Sequence, residues 1–186
     1  MRRFGIVLLL LPLFWGCSEA QPTLPPHIRT IAIEPFQNNS LQEGIEQEVT
    51  RRVLQAFVTT SRISVVPRVE EADAVIRGTI TRYERTPLSW DQTGRIVQYK
   101  IRIFADIAFE DRVRGGSIWR VDNIDGVTTY SLVRFPPETE DEAIIRASEE
   151  MARDVLFLII EGRQDTSDEL LFSSTGPDTN VGVRRR

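Results

Sequence analysis

From residue 96 to residue 109 the chain alternates apolar and polar side chains with hardly a break. Val97, Tyr99, Ile101, Ile103, Ala105, Ile107 and Phe109 fall on one side, and Gln98, Lys100, Arg102, Phe104 and Asp106 on the other. A period of two is the signature of a strand with one buried face, so Ile96–Asp111 is expected to lie in a sheet whose second face is at least partly polar. Residues 74–85 alternate in the same way, with Ile76, Gly78 and Ile80 against Arg77, Thr79 and Thr81. The turn Asp91-Gln92-Thr93-Gly94 joins these two strands, and Gly115-Gly116 leads into a third at about residues 117–130, where Trp119 is expected in the core. Upstream, the β-branched run Thr30–Phe36 predicts a strand closed by Pro35 and Asn38-Asn39, and Ile63–Val66 predicts a short strand closed by Pro67.

Two stretches switch to helical spacing. Ser40-Leu41-Gln42-Glu43 has the form of a capping box, followed by Ile45, Val49, Val53 and Ala56/Phe57 in one stripe. Thr139-Glu140-Asp141-Glu142 has the same form, and Ile144, Ala147/Ser148, Met151, Val155, Leu158 and Ile159 follow, with Gly162 as a stop. The strand–helix–strand order at the start implies a crossover with parallel strands. The expected fold is therefore an α/β (α+β) two-layer sandwich, with two helices on one face of a mixed four- to five-stranded sheet.

The N-terminus follows a different logic. Arg2 and Arg3 precede an apolar run from Phe4 to Trp15 that is broken by Pro12. A spanning helix needs about 20 apolar residues, so this stretch reads as a signal peptide, residues 1–16. Phe14-Trp15-Gly16-Cys17 closes it, and Gly16-Cys17 matches the end of a lipobox, with Phe14 and Trp15 bulkier than usual. Cleavage between Gly16 and Cys17 with lipidation of Cys17 is the expectation; the plainer alternative is an ordinary leader that leaves a free thiol. A lone cysteine forms no internal disulfide, whereas acyl chains on it would hold the domain at a membrane. Residues 17–29 then read as the lipidated cysteine and a proline-rich tether, 30–163 as the domain, and 164–186 as a disordered tail.

Removal of the leader takes away two arginines and moves the formal charge from −4 to −6, which speaks against nucleic acid as a partner. His27 is the only histidine and falls in the tether. The folded part therefore has no Ser-His-Asp or Cys-His constellation and no histidine-based zinc site, and Pro35-Phe36-Gln37-Asn38-Asn39 replaces any glycine-rich phosphate loop. Neither an enzyme nor a cofactor is expected. What remains is a set of cations on the polar face of the long strands: Arg77, Lys100, Arg102 and, on the third strand, Arg120. Guanidinium forks suit phosphate and carboxylate oxygens, but Glu84, Asp106 and Glu110 could equally serve as counter-ions on a merely solvated face. Trp90, beside the first turn, is a candidate contact residue. Asp73 is expected to cap or terminate its segment.

The order Cys17, Ile31-Ala-Ile-Glu-Pro-Phe-Gln-Asn-Asn, an amphipathic helix, Ala72-Asp-Ala-Val-Ile-Arg-Gly, Tyr99-Lys-Ile-Arg-Ile, a Trp119 strand and a last helix resembles the LptE family of LPS-assembly lipoproteins. The likeness spans about residues 17–163; Ser18-Glu19-Ala20 stands where members often carry an aromatic pair. It implies a non-enzymatic, lipid-anchored outer-membrane protein facing the periplasm. Its implied partners are an LptD-type β-barrel, which it plugs and helps assemble, and lipopolysaccharide, which Arg77, Lys100, Arg102 and Arg120 would contact. The rival expectation is another periplasmic α/β lipoprotein that acts as a scaffold or as an activator of an envelope enzyme.

Overall fold

The computed structural model describes residues 24–60 and 63–160. The expected leader, Gly16, Cys17 and the tail at 164–186 lie outside the described residues. The elements are β1 (Thr30–Ile33), β2 (Gln37–Asn38), α1 (Ile45–Val58), β3 (Ser64–Val65), β4 (Ala74–Trp90), β5 (Ile96–Asp111), β6 (Ser117–Ser131) and α2 (Glu140–Ile160), with one 3₁₀ turn at Val69–Glu71. The sheet runs β3-β1-β4-β5-β6, with β2 also on β4. β1 is parallel to β3 and β4, and β4-β5-β6 is an antiparallel meander. The expected two-layer architecture is borne out: α1 packs over β1, β2 and β3, and α2 over β5 and β6. No helix among the described residues is long and apolar enough to cross a membrane.

The first expected strand is split. Pro35 has no N–H to donate, so pairing stops after Ile33 and resumes at Gln37–Asn38, opposite Thr79 and Ile80. Between the two pieces Phe36 folds under the sheet, and its backbone N–H donates to Thr50 Oγ1 on α1 at 2.9 Å. Its ring lies over Gly78, where a Cβ would stand 2.3 Å from ring carbon. The glycine in the Ala72–Gly78 segment is thus the floor on which Phe36 packs. Gly126 has the corresponding role in β6, because a Cβ there would lie 2.1 Å from the Ala147 carbonyl oxygen of α2.

The expected Ser40 cap is not formed. Helix α1 starts later, with Gly44 as N-cap at φ 80° and no side-chain cap. Ser40 instead donates through both its N–H and its hydroxyl to Asn38 Oδ1, at 2.9 and 2.7 Å, while Asn38 Nδ2 donates to the Gln42 carbonyl and to Glu46. An Asx-type turn organised by Asn38 thus takes the hydroxyl that a cap would have used. The second box does form: Thr139 N–H donates to Glu142 Oε2 at 2.9 Å, and Glu142 N–H to Thr139 Oγ1 at 3.2 Å.

The core lies between the sheet and the helices, with Phe57, Phe109, Ile31, Ile76, Ile103 and Met151 among its largest fully buried side chains. Trp119 is partly buried and packs on Phe109 at 5.9 Å between centroids. Ordered packing reaches further toward the N-terminus than residue 30. Ile28 is buried, and His27 Nε2 lies 2.6 Å from Asp111 Oδ2, so this histidine is docked on the domain. Asp73 caps β1 from across the sheet: its Oδ2 accepts the N–H groups of Arg29 and Thr30, both at 2.9 Å. Those two backbone donors, Arg29 first, hold its carboxyl below the usual range.

Candidate ligand-binding face

β4 continues to Trp90, five residues past the expected end. At roughly 3.4 Å per residue, β4 and β5 form a hairpin about 50 Å long. β1 and β2 accompany β4 only as far as Ile80; the β-bulge at Thr81 comes next, and from Arg82 onward β5 is its sole pairing partner. The distal part is therefore an arm. A cluster on its helix-facing side fastens it to the start of α2: Tyr83 OH donates to Glu140 Oε1 at 2.6 Å, Arg85 pairs with the same carboxylate, and Tyr99 stacks on Tyr130 at 5.5 Å. Burial, and then the Glu140 contact, push the Tyr83 hydroxyl far above its ordinary value, so it stays a donor. Burial alone would raise Glu140, but the hydrogen bonds from Tyr83 and Arg85 outweigh it and hold the carboxyl low.

The opposite face is organised by cross-strand rows. Arg77 lies beside Ala108, and Ala108 beside Arg120, so a small residue between two arginines leaves a notch. A cavity of about 360 Å³ opens there, lined also by Asn39, Thr79, Thr81, Asp106 and Glu110. Both arginines are already engaged. Glu34 takes Arg77 through two hydrogen bonds, at 2.9 and 3.0 Å, with Glu110 on the other side, and Asp122 takes Arg120 at 2.8 Å. These partners, the Glu34 and Asp122 hydrogen bonds foremost, raise both guanidinium pKa values. The notch thus holds more carboxylates than cations.

Further along the arm the balance reverses. Residues 82–104 carry Arg82, Arg85, Arg95, Lys100 and Arg102, and the four arginines pair with Glu84, Glu140, Asp91 and Asp125 respectively, in a chain whose formal charge is −4. Lys100, the only lysine of the chain, stands between Thr86 and Thr129 and has no ion pair among the described residues. Arg102 is held by Asp125 at 2.7 Å and lies over the Phe104 ring at 4.6 Å; Arg82 covers the same ring at 4.0 Å. Phe104 is only 2% exposed although it sits on the polar face, because two guanidiniums roof it. The four expected contact residues thus form two groups, Arg77 with Arg120 in the notch and Lys100 with Arg102 on the arm. Sequence reasoning missed the role of Phe104, and the signal was an aromatic on the polar side of a strict alternation.

Among the described residues no group of three or more His, Cys, Asp or Glu side chains could hold a metal ion. Fold and face together define an α/β domain that presents a long, partly cationic strand face. The lipopolysaccharide-assembly family profile, LptE, matches residues 28–158, and the chain belongs to that family. None of the curated proteins matches it. Among solved structures, a hypothetical protein from Chlamydia trachomatis is 10% identical with a TM-score of 0.49, over 69% of this chain and 94% of that one. The PelC dodecamer of Paraburkholderia phytofirmans is 10% identical at 0.48, over 75% and 93%. An uncharacterized lipoprotein B from Nitrosomonas europaea is 15% identical at 0.47, over 84% and 91%. The family membership rests on the profile.

Proposed function

We propose that this protein is a lipid-anchored outer-membrane protein that plugs and helps assemble an LptD-type β-barrel and binds lipopolysaccharide on its way to the outer leaflet, without catalysis. The observation that carries this reading is the family match across both helices and the whole meander. The cation-rich arm supports it. Lys100 has no ion pair among the described residues, and Arg82 and Arg102, held by Glu84 and Asp125, are also set on the Phe104 ring, so the arm offers phosphate groups oriented donors. Arg77 and Arg120 remain part of the proposed contact surface, with a smaller share, because the carboxylates around the notch outnumber them and repel an incoming phosphate. Exposed pairs such as Arg102–Asp125 are worth about 0–1 kcal/mol each, so exchange on the arm is cheap. Cys17 would supply the anchor. The test is a mild-detergent pull-down of the full chain from cell envelopes, with partners identified by mass. Recovery of a large outer-membrane β-barrel together with lipopolysaccharide is expected. Recovery of an envelope enzyme without a barrel would overturn the reading in favour of an activator.

A further inference from the structure

Three segments meet at the end of the sheet opposite the arm, and two aspartates tie them together. Asp111 Oδ1 accepts the N–H groups of Val113 and Arg114, both at 2.9 Å, and so shapes the β5–β6 turn. Its Oδ2 lies 2.6 Å from His27 Nε2. Asp73 accepts the N–H groups of Arg29 and Thr30 on its carboxylate, and the Arg112 N–H on its backbone carbonyl at 2.8 Å. Leu24 and Ile28 pack on the core. The incoming chain is thus fixed from Leu24 onward, and to the same unit that carries the β5–β6 turn.

Charge at this end is unevenly claimed. The carboxylates of residues 24–30, 66–74 and 111–116 are Glu70, Glu71, Asp73 and Asp111. Backbone N–H groups and His27 occupy the two aspartates, and Glu71 pairs with Arg68, which leaves Glu70. Against it stand Arg29, Arg112 and Arg114, all exposed and without an ion pair among the described residues. The Val69 and Ala72 carbonyls hold the Arg112 guanidinium, which orients the charge without neutralising it. Between Arg112 and Arg114 stands Val113, 61% exposed. Unneutralised guanidiniums around an exposed apolar side chain suit a phosphate surface with acyl chains beneath it.

The length of the tether says which surface. Leu24 follows Cys17 by seven residues, a span of at most about 25 Å. The arm tip lies roughly 50 Å away along β4. Acyl chains on Cys17 would therefore hold this end, and not the arm, close to the bilayer that carries them.

We propose that the β5–β6 turn, with Arg29, Arg112 and Arg114, seats on the anionic phospholipid headgroups of the leaflet that holds the Cys17 lipids, Val113 toward the acyl chains. This inference rests on the lipid-anchor reading of Cys17 and adds which end of the domain meets the bilayer.

The test uses the lipidated full chain in vesicles of phosphatidylcholine, alone or mixed with phosphatidylglycerol. Lipidation is read first, by intact mass and by flotation with the vesicles. With Cys17 acylated, Val113→Cys and Thr93→Cys each offer one free thiol for a fluorescent label, at the turn and at the arm tip. Quenching by headgroup-spin-labelled lipid should be strong at 113 in phosphatidylglycerol vesicles, weaker in neutral ones and absent at 93. Arg29→Gln combined with Arg114→Gln removes two exposed guanidiniums whose residues bond only through the backbone, so the fold is spared. The pair should shift the ratio of seated to lifted protein about thirtyfold, bringing quenching at 113 to the neutral-vesicle level with flotation unchanged. A chain without acyl groups on Cys17 overturns the anchor reading, and this inference with it. A chain that floats but is quenched at 93 overturns this inference alone. Quenching at neither position does the same and leaves the turn to a protein partner. Quenching at 113 that ignores both phosphatidylglycerol and the two arginines also overturns it, since the guanidiniums then have no part in the contact.

Discussion

Gly126→Ala tests the joint between sheet and helix layers. The new methyl would stand 2.1 Å from the Ala147 carbonyl oxygen, 3.0 Å from its carbon and 3.1 Å from the Met151 Cβ. Two of these three atoms are helix backbone, so no rotamer change relieves the overlap. Helix α2 must instead lift from β6 by about 1 Å, a gap that forfeits between a quarter and a half of each affected dispersion contact. The helix buries eight side chains, and Ala147 and Met151, both fully buried, lie at the point that lifts. Overpacking of this kind costs about 3 kcal/mol, which in a domain of this size lowers Tm by roughly 6–12 °C. Thermal unfolding followed by circular dichroism is the assay, with Gly78→Ala as the comparison. There the three nearest atoms all belong to the Phe36 ring, a side chain rather than helix backbone, so the loss should be the smaller and should be relieved by Phe36→Leu. A Gly126→Ala protein that melts within 2 °C of the wild type would show that the α2–β6 approach is not what holds the layers together.

Thr139→Ala removes the working capping box and should cost about 1 kcal/mol, whereas Ser40→Ala, read against it by chemical denaturation, should leave helix α1 unchanged apart from its entry turn. Asp73, Asp111 and Glu138 are held below their ordinary values, chiefly by backbone N–H groups, and Asp91 is lowered to about 2. Groups lowered in the folded state stabilise it fully above their unfolded-chain values near pH 4 and lose that contribution as pH falls through the folded values. Stability measured by urea midpoint should therefore be flat from neutrality to about pH 5 and fall steeply below pH 4, with the fall shallower in Asp73→Ala.

Most of the fold was legible because it rests on periodicity. The limits of β5, the Asp91–Gly94 turn, the Thr139 box and the two helix stripes all follow from spacing and local turn chemistry. The failures share a cause, which is competition that a linear pattern does not display. Asn38 outbids the helix for Ser40, and only the fold brings its amide to Glu46. The expected strand stops at Arg85, but β4 runs on through Pro87, which lies beyond Ile80, the last residue where β4 has a neighbour on the β1 side. The strand therefore tolerates a missing donor there. His27 is isolated in sequence and reaches Asp111 only because Ile28 packs in the core. The basic face was visible as residue types but not as two groups. Whether an arginine is already claimed depends on carboxylates such as Glu34 and Asp122, which the register brings beside it.

The central claim is that the arm meets lipopolysaccharide through Lys100, which has no ion pair among the described residues, and Arg102, which Phe104 supports. The direct measurement is equilibrium binding of lipopolysaccharide to the full chain and to the variant carrying Lys100→Glu and Arg102→Glu, with Arg77→Glu and Arg120→Glu as the comparison pair. Two charge-assisted contacts at about 1.5 kcal/mol or more apiece predict a loss of roughly a hundredfold for the arm variant, with an unchanged circular dichroism spectrum, and a smaller loss for the notch variant. Undiminished binding by a folded arm variant would contradict the account.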